Sequence, residues 1–262
     1  MAAFNIEWRH KMQRIRAWLV CGLSLMILSA PTPSGAQEGN TLIDPQADSI
    51  LRQMSDYLNT LEQFTVRAEN GFDTLLPSGQ ILQMGRSMEI SVRRPDRLRG
   101  SIHGGRYDQE FYYDGSSITL FTKGVNYYAT TEAPPSMEAA LDDAEESVGL
   151  VAPFADLISK DAYDNLIEDV TLGLYVGLST ISGVECHHLA FRGEETDWQI
   201  WIENSEKPLP RKFMITSKWV TGAPRFVGLV TGWDLSPELK DSLFTFVAPE
   251  GAEEIEFLAP DN

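Results

Sequence analysis

From Phe64 to residue 234 the apolar side chains of this chain recur at every second position in run after run, and a period of two admits strands and little else. The clearest run is Arg86-Ser87-Met88-Glu89-Ile90-Ser91-Val92-Arg93, with Met, Ile and Val on one face and Ser and Glu on the other. Further runs at 97–103, 107–113, 117–123 and 125–131 are joined by Asp114-Gly115 and Lys123-Gly124, short turns of the kind that link antiparallel neighbours. A second set reads at 184–192, 197–203, 211–220 and 225–234, separated by Gly193, Pro208 to Pro210 and Gly222 to Pro224. Nine or ten successive strands predict a large curved antiparallel sheet.

Two stretches break the alternation. Ala47, Ile50, Leu51, Met54, Tyr57, Leu58, Leu61 and Phe64 recur at three- and four-residue steps, which predicts a helix of about 18 residues with one apolar stripe. Asp44 is placed to cap it and Pro45 to open its first turn, while residues 37–45 are polar and read as a loose leader. The second stretch, about 136–168, contains two short helical patterns opened by Ser136 and Pro153. Its apolar residues, Phe154, Leu157 and Ile158 among them, predict a cover over one face or end of the sheet.

The N-terminus carries Arg9, Lys11, Arg14 and Arg16 ahead of the twelve-residue apolar run Ala17 to Leu28, then Pro31, Pro33 and the small residues Ser34-Gly35-Ala36. A basic start before a short apolar core is a secretory signal, and the run falls short of the roughly 20 residues of a membrane span. Residues 1–36 are therefore expected to be cleaved and the product to be periplasmic with no stable membrane anchor. The remainder, with a single domain expected over 46–258, holds 17 basic against 37 acidic residues, a formal charge of −20. Such a surface repels nucleic acid. Only Cys186 is left, and one thiol closes no internal disulfide.

No nucleophile elbow, zinc-protease helix, phosphate loop, C-x-x-C or dinucleotide fingerprint occurs. In Cys186-His187-His188 the two rings point to opposite faces of a strand, so they cannot share one metal in ordinary geometry. Asp142, Asp143, Glu145 and Glu146 lack the spacing of a calcium loop and read as a solvated helix face. No catalytic residue, metal or cofactor is expected. Arg97 and Arg99 belong to the chief basic concentration after the signal and are candidates for an anionic contact.

A sheet that serves as a container lines its concave face with large apolar side chains. Phe111, Tyr113, Tyr127, Trp198, Trp219, Phe226 and Trp233 are the candidates for such a lining, with Phe154 and Leu157 as candidates for its lid. An ordinary filled core explains the same residues equally well.

Several segments together resemble a known family: the helix with Met54-Ser55-Asp56-Tyr57-Leu58, the Tyr113-Asp114-Gly115 hairpin with Tyr127-Tyr128-Ala129, Gly183-Val184-Glu185-Cys186-His187-His188-Leu189, and Pro249-Glu250-Gly251-Ala252. Over roughly 45–257 the chain resembles bacterial predicted periplasmic proteins of undetermined function that are classed with the lipoprotein carrier LolA and its receptor LolB. The resemblance implies a mainly β fold with helices (α+β): a half-open antiparallel β-barrel covered by an N-terminal helix and a short helical insertion, with an apolar cavity suited to acyl chains. The expected function is then a monomeric, non-enzymatic carrier for a lipophilic group, either a lipid or a lipidated protein. An envelope protein-interaction module with a filled core is the alternative, and a hydrolase using His188 or His103 is a weaker one.

The signal makes a first prediction. N-terminal sequencing of the protein from an envelope fraction should begin at Gln37, and a membrane-bound product that retains Met1 would contradict it.

Overall fold

A computed structural model describes residues 42–104, 108–148, 155–160 and 162–257. The signal, its cut site, Phe154 and the opening of the second helical pattern lie outside the described residues.

Strands β2 (Gln63–Leu75), β3 (Ile81–Arg93), β4 (Arg97–His103), β5 (Gln109–Tyr113), β6 (Ser117–Thr122) and β7 (Tyr127–Glu132) form one antiparallel meander. A second meander comprises β8 (Leu172–Ile181), β9 (Val184–Arg192), β10 (Thr196–Glu203), β11 (Pro210–Ser217) and β12 (Arg225–Asp234). Antiparallel pairing of β12 with β2 fuses the two into one sheet. Its free ends carry two-residue parallel strands, β1 (Leu42–Ile43) on β8 and β13 (Glu253–Glu254) on β7. Among the described residues the thirteen strands make one open sheet, so the expected open β architecture holds, while the half-open antiparallel barrel is corrected to a mixed sheet with parallel end strands. β8 extends the second set upstream of residue 184, and β1 and Pro45 take the end of the expected leader into regular structure.

Helix α1 (Pro45–Asn59) opens as its sequence predicts, with the Asp44 carboxylate accepting the Gln46 backbone N–H at 2.7 Å. It stops sooner than the apolar period does. Thr60 turns its N–H back to the Tyr57 carbonyl at 3.0 Å, and Phe64 goes to β2 instead. Between the meanders lie α2 (Met137–Val148), α3 (Ala155–Ile158) and α4 (Ala162–Ile167). Ser136 caps α2 by accepting the Ala139 N–H at 3.2 Å. Ala47, Leu51, Met54 and Leu58 of α1, Met137 and Ala140 of α2, and Leu157 and Ile158 of α3 share one buried cluster with Phe64, Val66, Val92, Leu98, Ile118, Leu189, Ile200 and Phe213 of the sheet. We call this the inner face of the sheet.

A segment after β12 lies on the outer face. Phe246 sits 5.0–5.5 Å from the rings of Tyr112, Phe121 and Tyr128, and Arg93 donates to the Leu239 carbonyl at 2.8 Å.

One cation ties the helices to the sheet. Arg94, in the β3–β4 turn, is only 5% exposed, and its guanidinium donates to the carbonyls of Leu61 at 3.2 Å and Ile158 at 2.7 Å. Glu138 of α2 lies 3.6 Å away, and the Phe64 ring is 5.9 Å from the guanidinium carbon. Burial pulls the Arg94 pKa below its ordinary value, with Glu138 opposing. The Leu61 carbonyl lies just beyond α1 and the Ile158 carbonyl ends α3, and each accepts from the cation in a charge-assisted hydrogen bond. Replacing Arg94 by Met should keep the bulk but strip both carbonyls and Glu138 of their partner, lowering stability by about 2–4 kcal/mol. Urea unfolding measures this, and an unchanged midpoint would refute the tether.

Candidate functional site

The register assigns each residue to a face, since directly paired residues share one. Along β2 the inner residues are Phe64, Val66, Ala68, Asn70 and Phe72, and along β3 they are Val92, Ile90, Met88, Arg86 and Met84. Burial falls along this series. Phe64, Val66 and Val92 are buried near the helices, Met88 and Phe72 are half-buried, and Met84 is 44% exposed. The same decline runs from Leu98 to Ile102 on β4, from Tyr113 to Phe111 on β5 and from Ile118 to Leu120 on β6. The inner face thus has two halves: a packed core by the helices, and an apolar surface open to solvent beyond it.

That open half is continuous. Ile215, Phe226, Phe72 and Met84 form one row across β11, β12, β2 and β3, and the half-buried Met88 and Ile102 form a second beside the buried Ala68. Four neighbouring strands span about 14 Å, three spacings of ~4.8 Å. Between the two rows lies Phe213, Gly228, Asn70 and Arg86, in which Phe213 is buried core and Gly228 presents no side chain.

The expected lining residues are divided by this arrangement. Phe111, Tyr127 and Phe226 lie on the open half. Tyr113 is buried instead, its hydroxyl donating to the Pro134 carbonyl at 2.6 Å, and burial pushes its phenol up to about 12. Trp198 stacks on Phe191 at 4.1 Å, and Leu157 is core. Trp219 sits in the turn after β11, 66% exposed, with its indole N–H on the Glu194 carbonyl. Trp233 reaches the inner face through the bulge in β12 between Val230 and Gly232, packing 5.6 Å from Phe64 and donating to the Pro210 carbonyl. It also lines an open groove of about 670 Å³ with Glu203, Lys207, Leu209, Arg211 and Leu235.

Arg97 and Arg99 lie on the outer face and are already paired. Arg97 is 2.9 Å from Asp96, and Arg99 is 3.0 Å from Glu110. Burial opposes charge on Glu110, yet Lys123 at 2.6 Å, Tyr112 and Arg99 outweigh it and hold its pKa down at about 2. This group therefore contributes stability above the ordinary glutamate range and loses it as pH falls towards 2.

The histidines are occupied elsewhere than at a nucleophile. His187 faces inward to Tyr175 at 3.1 Å, whereas His188 faces outward, stacked on Trp201 at 4.2 Å with Nε2 2.9 Å from Gln199. Cys186 is buried on the outer face, donating weakly to the Val184 carbonyl, and burial pushes its thiol up. Among the described residues no group of three or more His, Cys, Asp and Glu could hold a metal, and no helix is long and apolar enough to cross a membrane.

Solved structures to which the chain is similar include an uncharacterised conserved protein of Thermus thermophilus, 9% identical over 80% of this chain and 99% of that one, with a TM-score of 0.49. The Mycobacterium tuberculosis lipoprotein LppX is 14% identical over 75% of this chain and 100% of its own, with a TM-score of 0.48. A LolA superfamily protein of Nitrosomonas europaea is 12% identical over 76% and 97%, with a TM-score of 0.36. None of these likenesses transfers a residue role or a ligand. No curated protein matches. The model of a family described as predicted periplasmic protein matches residues 47–258, and the chain belongs to that family, DUF2092.

Proposed function

We propose that this protein is a non-enzymatic periplasmic binding or carrier protein for a lipophilic group, held on the open half of the inner face. The observation that carries this reading is the row of Ile215, Phe226, Phe72 and Met84, apolar side chains left partly in water on the same face whose other half is packed core. An uncovered apolar surface contiguous with a core invites a ligand that completes it. Burying a twelve-carbon chain there contributes on the order of 10 kcal/mol gross at about 0.8 per methylene, before ordering costs are subtracted. The helical layer is the cover in this reading, and α3 packs through Leu157 and Ile158 into the core half of the same face.

A second reading rests on β8. Beyond Gly173 its outward edge has no strand partner among the described residues, and Leu174, Val176 and Leu178 are exposed. Such an edge accepts a strand of another polypeptide.

A fluorescent fatty-acid probe separates the two. Wild type should bind it, and Met84→Asp, a change at an exposed site that costs little stability, should weaken binding by roughly tenfold or more. Thr216→Asp on the outer face of β11 should leave binding unchanged. Failure of the wild type to bind the probe would replace the carrier with the strand-docking module.

A further inference from the structure

Ten arginines lie among the described residues, and nine of them have a carboxylate within 4 Å. Arg86 is the exception among the described residues. In a chain this acidic, leaving one guanidinium without a carboxylate is unusual, and its position makes the omission informative. Arg86 shares the inner face with Met84 and Met88, and its guanidinium carbon lies 4.7 Å from the centre of the Phe72 ring. Directly across the strand pair is Asn70, whose Oδ1 is buried without a hydrogen-bond partner and whose Nδ2 has only the Met88 sulfur at 3.8 Å. A cation without an anion and an amide oxygen without a donor thus sit side by side within an apolar surface.

Resting on the carrier reading above, we infer that Arg86 and Asn70 form a headgroup site, so that the ligand is a single-chain anionic amphiphile with a hydroxyl or amide N–H beside its anionic group. The guanidinium takes the phosphate or carboxylate in a charge-assisted pair, strengthened by the apolar surroundings, and Asn70 Oδ1 accepts the neighbouring donor. The hydrocarbon lies along Phe72, Met84, Met88 and Phe226. The Phe72 ring holds the guanidinium plane in place while the site is empty. An uncharged or zwitterionic amphiphile of equal chain length gains the same apolar contacts but not the unopposed ion pair, so Arg86 selects for charge rather than for length.

Calorimetric titration with lysophosphatidylglycerol and lysophosphatidylcholine of equal chain length, both below their micelle concentrations, tests this. Wild type should prefer the anionic lipid by roughly tenfold. Arg86→Gln should remove the preference while keeping the affinity for lysophosphatidylcholine, and Arg86→Lys should retain most of it. Glycerol phosphate, the headgroup without its chain, should not compete at equal concentration. A thermal melt of each variant establishes that it is folded, and the lysine variant carries the test if the glutamine variant is not. A preference that survives in Arg86→Gln, or its loss in a folded Arg86→Lys, would overturn the headgroup site and leave the carrier reading standing, whereas competition by glycerol phosphate would overturn the apolar carrier reading on which the site rests. Binding of neither lipid by wild type would overturn both.

Discussion

Arg94 is the point on which the arrangement turns. A guanidinium with so little access to water is costly unless its donors are used; here Nε and Nη2 donate to the carbonyls that follow α1 and end α3, while Nη1 is buried without a hydrogen bond, 3.6 Å from Glu138 of α2. Three helical segments from two distant parts of the chain are thereby referred to one turn of the sheet. Hydrophobic burial favours a helical layer on an apolar sheet face, but it is not directional. The arginine gives the layer a position, at one end of the inner face and not at its centre.

That position divides the inner face. Where the helices lie, the alternating apolar residues of both meanders interlock with Leu51, Met54, Leu58 and Met137 as a core. Beyond them the strands continue with the same alternation: β2 and β3 have thirteen residues each, whereas α1 has fifteen and lies against β8 and β10. A strand advances about 3.3 Å per residue and a helix 1.5 Å, so such a helix leaves part of the apolar face uncovered. The open surface is a geometric consequence of pairing long strands with short helices.

The outer face is closed by different means. Phe244 and Phe246 pack behind β3 to β7, and the charged residues there are paired: Arg99 and Lys123 on Glu110, Arg67 on Glu89, and Arg93 on Asp241. Its arginines are accounted for internally. On the inner face Arg86 is the one described arginine with no carboxylate within 4 Å.

The alternation of residues 86–234, the caps at Asp44 and Ser136 and the opposite facing of His187 and His188 were legible in the sequence, because each follows from local periodicity or from a side chain reaching its own backbone. The candidate site was legible only in part. Phe111, Tyr127 and Phe226 stand out as aromatic alternation, whereas Tyr113 and Trp198 have the same pattern and are packed away. Arg86 stands in phase with Met88, Ile90 and Val92, a cation in an apolar stripe, and that was the available sign of it. Its meaning depended on Asn70 and Phe72, which only pairing of β2 with β3 brings beside it. Trp233 changed faces through a bulge, the helix ended five residues early because β2 claimed Phe64, and the two end strands of the expected half-open barrel each pair with a separate two-residue strand. Local sequence determined which residues are strand or helix and which side chains alternate. The tertiary structure alone decided which apolar residues are covered and which cation lacks a partner, since both depend on neighbours distant along the chain.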